Sequence, residues 1–234
     1  MTNTKLIPED YNFKNVSLIT GFHGIGSTGY LAIKHIIQTL NLERVAFLDN
    51  EHSPPLSSVK SGRIVTPFEI YKSKNLAFLR MEVPPLNNNE LSFFREVCDL
   101  IISKSFKEII LIGGLDSVLK TDNTTFRYVK TESYTLPAFF NKSIQLEDDR
   151  LIVGPVAQIL NFMEIKNFPT FCILPYASAT RIDPRASSEA IKLISKIFNF
   201  NIEIDSLLKQ AEKFELTEPA VQNTSQYKNP DIYT

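Results

Sequence analysis

Gly24-Ile25-Gly26-Ser27-Thr28-Gly29 follows a short apolar run and opens a helical pattern, and Asp49 stands twenty residues beyond it. Between a strand and a helix, this spacing is the fingerprint of a dinucleotide site. The glycines would let the backbone approach a pyrophosphate, the N–H groups of the helix end would face it, and Asp49 would meet the ribose hydroxyls. Two features weigh against that chemistry. Phe22 and His23 lengthen the turn by two residues after Gly21, and nothing downstream has the form of a dehydrogenase's catalytic half. The competing reading is packing: Gly21, Gly24, Gly26 and Gly29 permit a tight strand-to-helix turn. Phe22 and Ile25 would then be exposed apolar contacts for another subunit.

Other reactive side chains are sparse. A nucleophile with its base needs a positioned histidine or lysine, and the histidines are His23, His35 and His52. His23, alone in the glycine turn, reads as a packing or hydrogen-bonding group, and none of the three shares metal-ligand spacing with a cysteine. Cys98 and Cys172 fall at apolar positions and read as small hydrophobes. Glu51, Asp116, Asp122 and Asp183 have capping or solvated roles as their simplest reading. Arg181 and Arg185 flank Asp183 as helix-start salt-bridge partners. No catalytic residue, metal site or cofactor is assigned.

The chain ends in Ile232-Tyr233-Thr234. Termini order poorly, so an aromatic there serves a folded body little. A partner's pocket can use it, because an aliphatic side chain, a phenol and a carboxylate form a directional plug.

Composition sets the class. At 234 residues, 43% hydrophobic and 22% charged, the chain is long enough for one substantial core. A net charge of −1 gives no field for nucleic acid or an anionic membrane. Apolar runs such as Ile109 to Ile112 are strand-length, far short of the roughly 20 residues of a membrane span. The polar start, Met1 to Asp10, lacks a signal-peptide core. Together these predict a cytoplasmic protein.

The elements that must carry these residues follow from periodicity. Strands are predicted at Val16 to Thr20, Val45 to Leu48, Glu108 to Ile112 and Pro169 to Leu174. Ile64 to Tyr71 and Leu76 to Met81 read as a hairpin joined at Lys72 to Asn75. Helices are predicted at 28–40, 89–104, 152–165, from Asp183-Pro184 onward, and at 205–216. Residues 120–150 are polar and irregular, with one short strand near Phe126. Strands alternating with helices imply a three-layer α/β/α sandwich with a largely parallel or mixed sheet. Residues 1–216 form the single predicted domain. Residues 217–234, with two prolines and polar filler, read as a flexible tail spanning about 20–25 Å.

The ordered set of motifs resembles the proteasome assembly chaperone family of archaea and actinobacteria. Gly21-Phe22-His23-Gly24-Ile25-Gly26 with Gly29 looks like its opening signature. Pro54-Pro55, the Ile70 to Leu79 hairpin, Met81 to Pro85, Ile109 to Leu115, residues 152–174 and Asp183-Pro184-Arg185-Ala186 follow in order. The resemblance covers roughly residues 16–215 and leaves out 120–150. It implies a phosphorylase-like fold, homo-oligomers and no known catalysis. It also implies that Ile232, Tyr233 and Thr234 form the hydrophobic-Tyr-any tripeptide that docks between α subunits of the proteasome core particle.

Overall fold

The computed structural model describes residues 4–85, 90–141, 144–217 and 232–233. The strands are β1 (Lys5–Ile7), β2 (Ser17–Gly21), β3 (Glu43–Asp49), β4 (Ser58–Lys60), β5 (Arg63–Val65), β6 (Phe68–Ser73) and β7 (Leu76–Met81). They continue with β8 (Glu108–Ile112), β9 (Leu115–Asp116), β10 (Phe126–Lys130), β11 (Leu151–Ile152), β12 (Thr170–Ala177) and β13 (Ile232–Tyr233). The helices are α1 (Thr28–Thr39), α2 (Glu90–Ser103), α3 (Gly154–Ile165), α4 (Pro184–Phe198) and α5 (Asp205–Thr217).

A strand that is apolar throughout needs cover on both faces, because successive side chains point to opposite sides of the sheet. β2, β7, β8 and β12 meet that condition and form the centre of the main sheet, ordered β1-β3-β6-β7-β2-β8-β12-β10, with β9 also on β12. The centre is parallel: β2 pairs with β7 and β8, and β8 with β12. Antiparallel strands extend it on both sides. Leu18, Ile109 and Leu111 pack with Phe94, Val97, Ile159 and Met163 of α2 and α3. Their sequence neighbours Ile19, Ile110 and Ile112 pack with Ile33, Ile36, Ile191 and Ile194 of α1 and α4. The result is the predicted α/β/α sandwich with a mixed sheet.

Helix ends match local chemistry. Asp183 Oδ1 accepts the Ala186 N–H at 3.0 Å, Pro184 stands in the first turn, and Asn199 ends α4 at φ 52°. Two expectations shift. Ile64 and Val65 belong not to the predicted hairpin's first strand but to β5, paired with β4 in a separate ribbon. The helix predicted from Ile152 begins at Gly154, because Leu151 and Ile152 form β11. β10 supplies the one strand expected between 120 and 150.

Candidate functional site

The glycine turn connects β2 to α1 through a 3-10 turn at Ile25–Ser27. Its glycines are required by contact. A Cβ on Gly21 would come 2.5 Å from the Gly29 Cα, and one on Gly29 would come 2.3 Å from the Ile112 carbonyl oxygen. Gly26 adopts φ +63°, a backbone that favours glycine, and its carbonyl accepts the Asp183 N–H at 2.8 Å. Gly24 is exposed, with backbone bonding from its carbonyl to the Ser27 N–H at 2.9 Å. The turn thus packs α1 against β8 and the start of α4.

Asp49 lies elsewhere. β6 and β7 separate β3 from β2, so three strand spacings, about 14 Å, divide Asp49 from the glycines. Twenty residues of sequence separation suggested a ribose-binding partner, but the inserted hairpin removes the adjacency that role needs. The stacking of β7 beside β2 puts Arg80, opposite Gly21 in register, in that place instead.

Phe22 was expected at the surface as an apolar contact; it is buried, edge-on to the Phe94 ring at 5.4 Å. Ile25 is half-buried. Both line a cavity of about 370 Å³ at the carboxyl ends of the parallel strands, walled also by Met81, Val83, Phe94 and Val156. Crevices at this edge of an α/β sheet are habitual binding places. Around the same edge Leu91, Val118 and Ile182 stand exposed after β7, β9 and β12.

His23 is the titratable residue among those lining this cavity. Its ring stacks on Tyr30 at 3.8 Å, and Nε2 lies 3.1 Å from the Glu82 carbonyl oxygen. Burial pushes its pKa below the ordinary value, against the opposing pull of that carbonyl and the Glu82 charge. With no carboxylate among the described residues bonded to the ring, it reads as a packed imidazole. Glu82 joins several groups: Tyr30 donates to Oε1 at 3.0 Å, and Arg80 Nε lies 3.3 Å from Oε2.

Behind Arg80 sits a carboxylate the sequence reading did not single out. Glu69 is fully buried, with Arg80 Nη2 at 2.7 Å, Arg44 Nη1 at 2.8 Å, and the Tyr71 hydroxyl donating at 2.6 Å. Burial alone would raise its pKa, but Tyr71, the Thr66 amide and the two arginines hold it below the usual carboxylate range. A charge within each of two apolar strands, Glu69 in β6 and Arg80 in β7, was the available signal.

The remaining candidates are structural. Asp116 accepts the Val118 N–H, and Asp122 binds Thr124 and Arg127. Asp183 takes the amides of Ser178 and Ala186. Cys98 and Cys172 are buried, which raises both thiol pKa values and leaves them in the protonated form. Among the described residues no group of His, Cys, Asp and Glu could hold a metal, and no helix is long and apolar enough to cross a membrane.

At the terminus, Ile232 pairs in parallel with Leu151 and Tyr233 with Ile152. Val153, which follows β11, is part of the cavity wall. Thr234, like most of the predicted tail, lies outside the described residues.

Comparison with known proteins follows the same outline. The chain has 25% identity over 136 residues to Proteasome assembly chaperone 2 of Danio rerio, 52% of each chain. Pyrococcus furiosus PbaA, described as an archaeal homolog of proteasome-assembly chaperone, superposes with a TM-score of 0.74 at 19% identity, covering 91% of this chain and 93% of PbaA. Pyrococcus furiosus PbaB, described as an archaeal proteasome activator, gives 0.69 at 19% identity, with 92% and 97% covered. These likenesses establish the shared fold. The model of the PAC2 family matches residues 18–220, from the first central strand through α5, and the chain belongs to that family.

Proposed function

We propose that this protein is a non-enzymatic proteasome assembly chaperone or activator. It works in the cytoplasm as a homo-oligomer on the α subunits of the core particle. The observation that carries the reading is a family match over residues 18–220 joined to a terminus, Ile232-Tyr233-Thr234, lying beyond that match. In this reading residues 1–216 are the body and 217–234 the tail. Ile232 and Tyr233 enter a cleft between adjacent α subunits, and the Thr234 carboxylate meets a basic group there. The apolar edge around Ile25, Leu91, Val118 and Ile182, beside the glycine turn, supplies subunit or partner contact.

Magnitudes support a tail that alternates between two partners. The β11–β13 pairing spans two residues, and on the order of two backbone hydrogen bonds at ~0.5–1.5 kcal/mol each hold it. Leaving β11 therefore costs about 1–3 kcal/mol. Several tails on one oligomer gain about 10²–10⁴-fold in avidity, a gain of the same order as that cost or larger.

Capture of core-particle α subunits by the intact chain, beside a chain lacking Ile232 to Thr234, tests the reading. Binding is expected only with the intact terminus, and the shortened chain should lose no more stability than the ~1–3 kcal/mol of the β11–β13 pairing. Equal capture by both would overturn the tail mechanism. With separated α and β subunits, faster particle formation identifies assembly activity, and faster peptide hydrolysis by finished particles identifies activation.

A further inference from the structure

The second cavity has the opposite chemistry. It measures about 480 Å³ and lies between the end of α1, the β4–β5 ribbon and the face of β3, β6 and β7. Arg44, Lys60, Arg63 and Arg80 line it, and among the described residues no acidic one does. Glu69, behind the wall, answers Arg44 and Arg80, and Glu82 stands near Arg80. Among the described residues no hydrogen bond or ion pair engages the side chains of Lys60 or Arg63. Even after subtracting Glu69 and Glu82, two positive charges remain around the space.

The wall also contains an unmet donor. Arg80 is 3% exposed, yet its Nε has no hydrogen-bond acceptor, because Glu82 Oε2 at 3.3 Å is out of line. That N–H is closed off from the open space of the cavity, so Arg80 acts on the cavity through the charge of its guanidinium. Arg44 is held in place by Glu69 and by the Ile64 carbonyl at 3.1 Å, so part of the cationic wall is rigid before any ligand arrives. The carboxyl end of α1, whose dipole disfavours anions, borders the space too. Its Ile36, Ile37 and Gln38 carbonyls are occupied by the amides of Leu40, Leu42 and Asn41, which weakens that opposition. The Lys60 ammonium has its pKa lowered, by burial first and then by repulsion from Arg80 and Lys34, against a weaker opposing pull from Glu82.

We propose that this cavity is an anion site for a small phosphoryl compound, with Lys60 and Arg63 on the β4–β5 ribbon closing over the phosphoryl oxygens and Arg44 and Arg80 forming the cationic wall beneath. Two net positive charges spread over four side chains favour several adjacent negative oxygens over a single carboxylate, and two linked phosphoryl groups fit the volume. Free pyrophosphate and the phosphate chain of a nucleotide share that chemistry.

Calorimetric titration of the full chain with pyrophosphate, ADP and inorganic phosphate, at constant ionic strength set with sodium chloride, tests the site. The comparison protein is the Lys60→Gln/Arg63→Gln double variant, whose substitutions are on exposed positions. Saturable one-site binding of pyrophosphate to the native chain, weakened at least ~tenfold in the double variant, is expected. Tighter binding of ADP than pyrophosphate identifies a nucleotide as the source; the reverse identifies the free anion. No heat from any probe, or identical titrations of both proteins, overturns the proposal. Binding of an acidic peptide with no binding of pyrophosphate would overturn it in favour of a protein partner.

Discussion

The cavity behind the glycine turn is walled by Phe22, Met81, Val83 and Phe94, whereas the one under the β4–β5 ribbon is walled by Arg44, Lys60, Arg63 and Arg80. Met81 and Arg80 are neighbours in β7, and the two-residue period of a strand sends them to opposite faces of the sheet. On one face Met81 joins the core of α2 and α3. On the other, Arg80 crosses the Tyr71 ring to reach Glu69. A single strand thus separates a surface suited to apolar protein contact from one suited to anions. The polar side is affordable in the fold only because every oxygen of Glu69 is met by a donor.

Four measurements would break or sharpen that contrast. The largest effect is expected from Glu69→Ala, which strands the buried Arg80 charge and removes about 3–5 kcal/mol of stability in urea unfolding. A loss under ~1 kcal/mol would mean that the arginines are solvated without it, and the polar half would be a surface feature.

Gly29→Ala comes next, because its methyl would meet the Ile112 carbonyl and the Phe22 amide at 2.3 and 2.7 Å. Overpacking of this kind costs ~1–3 kcal/mol. If the variant melts with the native chain, the turn is looser than its contacts indicate.

The pH dependence should expose Glu69. Its folded pKa is depressed from 4.5, so its stabilising contribution is complete above that value and fades as pH falls through the lower folded pKa. Glu69→Gln should flatten this acid limb of the stability curve. An unchanged limb would assign the acid sensitivity to other carboxylates.

The smallest effect on folding belongs to Lys60→Gln/Arg63→Gln. Exposed positions change stability by about 0.5 kcal/mol or less, so a thermal melt without anion should match the native one. A large loss would make the ribbon's cations structural rather than free to meet a ligand.

Much of this architecture was legible in the amino-acid sequence. The continuous apolar run from Ile109 to Ile112 required cover on both faces, and the Asp183-Pro184 start required a helix. β4 was not legible, and β5 was read as the start of the hairpin strand at Ile64, since three-residue strands with exposed Val59 and Ile64 carry no periodic signal of their own. β11 and β13 were hidden for the same reason, because each has two residues and depends on the other across eighty positions of chain. The Glu69 centre was missed because its partners come from three strands and look like isolated charges in sequence.

Local order determined the elements: apolar period, caps and glycines act within a few residues and leave their mark on the amino-acid string. Strand order, and with it the fate of the glycine turn, was decided only by tertiary structure. Inserting β6 and β7 between β2 and β3 moved Asp49 away and brought Arg80 beside Gly21. Sequence spacing counts residues along a chain, while recognition depends on distance in space, and a single hairpin between two strands is enough to uncouple the two.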